Sequence, residues 1–288
     1  MGSEARQKID LHIHSNASDG TFSPFEIVHR AESLRLGAIA ITDHDTLAGA
    51  KAALEISPRP LLAILPGVEI SADSPPFFRC AGSFHILGYD FRIDDPPLKR
   101  TLGVLQGARK NRNPRIIERL QDMGLEITLE EVIDCAGEAQ IGRPHIAQLL
   151  LKKGFVHSID EAFDRYIGTR GPAYVDKFRI SCEEAIALIR GAGGIPVLAH
   201  PGLLRPQMDI PLDRMIPMLK EMGIAGIEVY YPEHSASQTE RYGNIARRHD
   251  LMITGGTDFH GTITPDIPLG GGDGFHVPFW VYEQLIRR

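Results

Sequence analysis

Thiols are scarce in this chain: Cys80, Cys135 and Cys182 stand far apart among 288 residues. That number and spacing match no metal-binding or redox pattern, so reduced, buried thiols are expected. Long apolar runs are missing too. No stretch approaches the roughly 18 residues of a membrane-spanning helix, and the opening Met1-Gly2-Ser3-Glu4-Ala5-Arg6-Gln7-Lys8 has no apolar core of a secretory signal. A soluble, cytoplasmic protein with no membrane partner is the expectation. Positive charge is in short supply, 31 Lys and Arg against 37 Asp and Glu for a formal charge of -6. This argues against a broad basic face for long duplex nucleic acid. A phosphorylated ligand would have to be met by locally gathered cations. No repeat or low-complexity tract interrupts the chain.

What is present is an alternation of short apolar runs with helical patterns, in a chain long enough for one α/β domain or a barrel with an insertion. Seven strand-like runs stand out: Ile9-Leu11-Ile13, Ala38 to Ile41, Leu65 to Ile70, Phe84 to Tyr89, Ile195 to Ala199, Ile227 to Tyr231 and Leu251 to Thr254. The alternation predicts a parallel βα architecture. Ser23-Pro24 offers an N-cap with proline at the first helical position and Gly37 past the end; Ser181 with Glu184 offers a capping box. From about Thr101 to Pro172 strand signals vanish and helical segments follow one another. An all-helical insertion between the fourth and fifth strands, with a lid as one role for it, is expected. The barrel would then comprise residues 1–100 and 173–288, and the insertion 101–172.

Twelve histidines are many for this length, and several sit beside acidic residues just after apolar runs. In Asp10-Leu11-His12-Ile13-His14-Ser15, strand alternation points His12 and His14 one way and Leu11 and Ile13 the other. Two imidazoles on one face can chelate a cation. Thr42-Asp43-His44-Asp45 follows the second strand and Glu69 lies in the third. A carboxylate within an apolar strand must be paired, hydrogen-bonded or metal-bound, because burying it alone costs several kcal/mol. His85 in the fourth run, His200 after the fifth, and Asp258 and His260 after the seventh extend the pattern. Six of seven strands thus carry His, Asp or Glu at the C-terminal side, where barrel enzymes build their sites.

This ordered series resembles the polymerase and histidinol phosphatase (PHP) family, in the branch of nucleoside 3',5'-bisphosphate phosphatases and 5'-3' exoribonucleases, which also carry a helical insertion. The resemblance spans the chain except the insertion. It implies a distorted seven-stranded (β/α)7 TIM-like barrel and three divalent metal ions. His12, His14, Glu69 and Asp258 would hold the first, Glu69, His85 and His200 the second, and Asp19, His44 and His260 the third. The donors are nitrogen and oxygen, which suit Mn²⁺, Fe²⁺ or Zn²⁺, and the resemblance favours Mn²⁺. It further implies hydrolysis of phosphate esters of nucleotides, with adenosine 3',5'-bisphosphate going to AMP and short 5'-phosphorylated oligoribonucleotides as further substrates. The nucleophile would be a metal-bridging hydroxide.

Arg143, opening a helix in the insertion, and Lys177, on the return to the barrel, are the candidates for gripping substrate phosphate. His234, after the sixth strand, could contact substrate or protonate a leaving group. Asp43 and Asp45 could orient ligands. His29, His157, His249 and His276 lie away from strand ends. Competing readings are a histidinol-phosphate phosphatase on the same scaffold, an amidohydrolase or deaminase, which also begins with His-x-His but commonly uses a bridging lysine, and a non-catalytic metal-binding module.

Overall fold

A computed structural model describes residues 8–56, 61–78, 80–81, 84–136, 141–206, 211–272 and 274–287; the amino-terminal stretch read above for a signal lies outside the described residues except for Lys8. In chain order the elements are β1 (Lys8–Ile13), α1 (Pro24–Ser33), β2 (Ala38–Ile41), α2 (Ala48–Glu55), β3 (Ala63–Asp73) and β4 (Phe84–Tyr89). The helical stretch α3 (Pro96–Asp122), α4 (Leu129–Ala136), α5 (Arg143–Lys152) and α6 (Ile159–Ala162) follows, ending in a π-helical turn at Phe163–Ile167. Then come α7 (Cys182–Gly191), β5 (Ile195–Leu198), α8 (Leu212–Met222), β6 (Gly226–Tyr230), α9 (Ala236–Arg248), β7 (Met252–Gly255) and α10 (Trp280–Ile286). No described helix is long and apolar enough to cross a membrane.

The seven main strands form one sheet in the order β7-β6-β5-β4-β3-β2-β1, extended by short pairings of Ile180–Ser181 and Val277–Pro278. The loop after β7 closes it into a barrel: Phe259 bridges to Ile13, with His14 N–H donating to the Phe259 carbonyl at 2.9 Å. Inside, Leu11, Ala38, Ala40, Leu65, Leu87, Tyr89 and Val197 form one apolar cluster, which Val281 and Leu285 of α10 join.

Two expectations change. β4 runs antiparallel to both β3 and β5; the connection from β3 is short and carries no helical pattern, whereas a parallel crossover needs a dozen or more residues, usually helical. Consequently His85, at the start of β4, reaches the same end of the barrel as the C-termini of the parallel strands. Secondly, Leu11 and Ile13 do not share a face. The pairing of β1 with β2 shifts register between Asp10 and Ile13, so Leu11 joins the barrel interior while Ile13 packs with Ile39 and Ile41 in the layer under α1. A bulge of this kind re-aims side chains, and here it brings both His12 and His14 inward.

The caps form where the sequence places them. Ser23 and Glu26, and Ser181 and Glu184, make reciprocal capping boxes, although α1 ends at Ser33, four residues before Gly37, with Arg35 at φ 55°. α3 begins five residues before Thr101, capped by Asp95. Its first half (Leu98, Leu102, Leu105) packs in the cluster between sheet and helices. Its second half (Ile116, Ile117, Leu120) packs in a separate cluster with Val132, Ile146, Leu150 and Ile167. Pro114, which removes one rung of the helix ladder, falls between the two halves.

Candidate metal centre

Glu69 is the hub. Its side chain is buried, and His12, His14 and His44 approach Oε2 at 3.6, 3.3 and 2.9 Å, while His85 and His200 approach Oε1 at 2.7 and 3.0 Å. Asp258 Oδ1 faces the same two β1 imidazoles, 3.3 Å from His12 Nε2 and 3.0 Å from His14 Nε2. Asp19 lies 3.5 Å from both His14 Nδ1 and His260 Nε2, and 3.7 Å from His44 Nε2. Three overlapping groups therefore have donor atoms within 4.8 Å of one another: His12, His14, Glu69 and Asp258; His14, Asp19, His44 and His260; and His44, Glu69 and His85. All nine residues expected to be ligands are brought together, with His200 joining through Glu69 and through His85 Nδ1 at 3.2 Å.

The electrostatics of this cluster call for cations. His12 Nδ1 contacts Glu228 at 2.9 Å, which places a proton there and turns the Nε2 lone pair toward two carboxylates. His12 Nε2, His14 Nε2, His44 Nδ1, Asp19 Oδ1 and Asp258 Oδ1 are buried without hydrogen-bond partners. Such atoms are costly unless a ligand claims them. Burial alone would raise the Glu69 carboxyl, yet the imidazoles of His85, His44 and His12 outweigh it and hold it well below the usual carboxylate range. His85, by contrast, is pushed by burial down to about 4, against the pull of Glu69, and stays a neutral donor. Buried nitrogen and oxygen donors, with lone pairs converging, fit divalent metal ions.

The backbone is set for the task. Asp45, His200 and Asp258 are non-glycine residues with φ of 57°, 25° and 55°, conformations that persist only where surroundings enforce them. Asp10 supplies part of that enforcement, accepting from Thr257 N, Thr257 Oγ1 and Gly270 N at 2.9, 2.6 and 2.8 Å, which anchors the loop that carries Asp258. Asp43 holds the loop that carries Asp19, accepting from Ser15 N, Ser15 Oγ and Ser18 Oγ. Asp45 acts elsewhere: its Oδ2 accepts from Arg109 at 2.9 Å and Lys177 at 2.7 Å.

Those cations belong to the opposite wall of a pocket of about 150 Å³, in which Asp19, His44, His85 and His260 face Arg109, Arg112, Arg143, Lys177, Arg179 and Phe163. Arg143 and Lys177 were legible in the sequence; Arg109, Arg112 and Arg179 were not. Among the described residues no carboxylate lies within 4 Å of Arg112 or Arg143. Burial, followed by the neighbouring Arg109 and Arg143, pushes Arg112 down to about 9. Lys177 is pushed down to about 7 by burial and then by Arg109. Gathered, partly desolvated and under-compensated cations are what a multiply charged anion requires.

His234 is a correction. Its Nδ1 donates to the Val229 carbonyl at 3.0 Å and its Nε2 accepts from Gly202 N–H at 3.2 Å. With both ring nitrogens committed to backbone, no proton is free for a leaving group; the imidazole props the turn that follows His200. Glu228 is a further residue that sequence reading missed, beside the three arginines. The rule that singled out Glu69, a carboxylate inside an apolar strand, applies equally to Gly226-Ile227-Glu228-Val229.

Fold and site together define a phosphoester hydrolase that works with metal ions, and comparisons with known proteins agree. The PHP domain profile matches residues 10–171. The 5'-3' exoribonuclease Rnm of Escherichia coli is 34% identical over 253 residues, 87% of this chain and 84% of that protein. The 3',5'-nucleoside bisphosphate phosphatase of Chromobacterium violaceum is 32% identical over 261 residues, 88% and 87% of the respective chains. A crystal structure from Bifidobacterium adolescentis, described as a metal-dependent phosphoesterase, superposes with a TM-score of 0.84 at 31% identity, covering 99% of this chain and 97% of that one. The chain belongs to the PHP domain family and is a metal-dependent phosphoesterase.

Proposed function

We propose that the protein removes the 3'-phosphate of nucleoside 3',5'-bisphosphates, turning adenosine 3',5'-bisphosphate into AMP, and that it shortens 5'-phosphorylated oligoribonucleotides in the same pocket. The observation that carries this reading is the cationic wall set opposite the His/Asp/Glu cluster. One phosphate at the metals would not need Arg112 and Arg143 as well, whereas a second phosphate on the same small molecule would. The names of the two curated relatives agree with a substrate of that kind.

In this reading nine side chains, His12, His14, Asp19, His44, Glu69, His85, His200, Asp258 and His260, hold three divalent ions, with Mn²⁺ first among Mn²⁺, Fe²⁺ and Zn²⁺. When bound, such ions supply an activated water and neutralise charge on phosphoryl oxygens. Lys177 and Arg109, held in place by Asp45, steady the phosphate that is cleaved. Arg112 and Arg143 receive the other phosphate, Arg143 as a planar fork backed by the ring of Phe163. The insertion, residues 101–172 within a barrel of 1–100 and 173–288, is the substrate-recognition unit and covers the site. Unpaired cysteines suit a reducing compartment, and the reaction is placed in the cytoplasm.

Turnover of adenosine 3',5'-bisphosphate, histidinol phosphate and a 5'-phosphorylated RNA trinucleotide, each with Mn²⁺, tests the assignment. The bisphosphate should show the highest kcat/KM. A preference for histidinol phosphate overturns the substrate, and release of no phosphate from any of the three overturns hydrolysis.

A further inference from the structure

We propose that Glu228 is a positioning residue that fixes two metal-ligand histidines at once, His12 through its ring and His200 through its backbone. The inference rests on the reading of the cluster as a metal centre, not on the identity of the substrate. Glu228 lies in the middle of β6, fully buried, between Ile227 and Val229, whose side chains pack outward with the helices. Its own side chain therefore points into the barrel beneath the cluster. Both carboxylate oxygens are used. Oε1 lies 2.9 Å from His12 Nδ1, and Oε2 accepts the His200 backbone N–H at 2.7 Å.

Each bond does a separate job. The first keeps the His12 proton on Nδ1, so that Nε2 presents a lone pair toward Glu69 and Asp258. The second holds His200 at φ 25° and ψ 62°, a conformation that a non-glycine residue leaves unless something restrains it. His234, six residues along, ties the same turn at Gly202, so the end of β6 secures the turn at two points. Only a carboxylate satisfies both donors: a glutamine in its place has one acceptor oxygen and would turn its NH₂ toward either an imidazole N–H or a backbone N–H. Asp19, His44 and His260 touch none of this.

The test is Glu228→Gln, read by calorimetric Mn²⁺ titration of the metal-free protein, by metal content after dialysis, and by proton–nitrogen correlation spectra of the histidine rings. Loss of an outer partner of this type weakens metal binding about 10–100-fold. That loss is expected for the sites sharing His12, Glu69, His85 and His200, with retention of the site built on Asp19, His44 and His260. In the metal-free protein the hydrogen-bonded His12 Nδ1 proton should be seen in the wild type and lost in the variant. Glu228→Asp, which keeps the charge but is one methylene short of spanning both donors, should give an intermediate affinity and serves if the glutamine variant does not fold. Wild-type Mn²⁺ affinity in either variant, or an unchanged His12 Nδ1 signal, overturns the proposal. None of the three readouts involves a nucleotide, so failure of the substrate assignment would show separately.

Discussion

The two walls of the pocket are built differently. The barrel wall consists of imidazoles and carboxylates gathered at one end of the sheet, whose donor atoms converge on one another in three overlapping groups. The insertion wall consists of cations from α3, α5 and the return segment; among the described residues only Asp45, which holds Arg109 and Lys177, and Asp73 and Asp176, which pair with Arg179, lie within 4 Å of them. The first is complementary to metal ions. The second is left under-compensated, as a wall must be if a polyanion is to complete it. Under the function proposed above, the barrel wall would carry the metal ions and the insertion wall would select the substrate, with Lys177 and Arg109 reaching the phosphate between them.

The sharpest way to break this comparison is at the hub. Glu69→Ala or His14→Ala should reduce kcat by about 10³-fold or more, since bound metal contributes several kcal/mol to catalysis, and should release metal. Retained stoichiometry in both would refute the ligand assignment. Ile146→Ala empties a buried position in the insertion's own cluster and should cost about 2–5 kcal/mol of local stability. Chemical denaturation followed together with metal content should show the insertion loosening while the metals stay. Simultaneous loss of both would mean that the walls are not separable.

Arg112→Met removes an under-compensated buried cation. Charge-assisted hydrogen bonds are worth about 1.5–3 kcal/mol, so KM for the bisphosphate should rise about 10–100-fold with metal content unchanged, while Tm holds or rises because a desolvated charge has gone. A fall in Tm would show Arg112 to be structural. The smallest effect is that of pH. Burial and then Arg109 push Lys177 down to about 7; if it grips phosphate as proposed, it should do so below that pH and lose its charge above it, and kcat/KM should fall as pH rises through about 7. Lys177→Arg should flatten that limb, because guanidinium stays charged. The stability sign is the opposite: above about 7 the unfolded chain holds a proton that the folded one has lost, so this group's contribution to stability rises with pH.

The contrast also governs legibility. His12, His14, Glu69, His200 and Asp258 stand out because polar donors inside or beside apolar strands have few innocent explanations. Arg109 and Arg112 do not, because a long helix with scattered arginines reads as a solvated surface until its burial is known. Glu228 was legible by the same rule as Glu69, since both lie inside apolar strands, and His234 misled because a histidine after a strand has the same sequence signature whether its nitrogens face a substrate or a backbone.

Periodicity, caps and the placement of donors pointed, from the chain alone, to alternating strands and helices with a helical insertion and polar donors gathered at strand ends, since these depend on local spacing and on the cost of burying unpaired polar groups; the family resemblance turned that pattern into a barrel with a metal centre. Whereas the direction of β4 was already written in its short, non-helical connection to β3, the bulge that turns His12 and His14 inward and the convergence of five cations were decided only by tertiary structure. Each depends on which distant segments pair, and no local pattern carries that information.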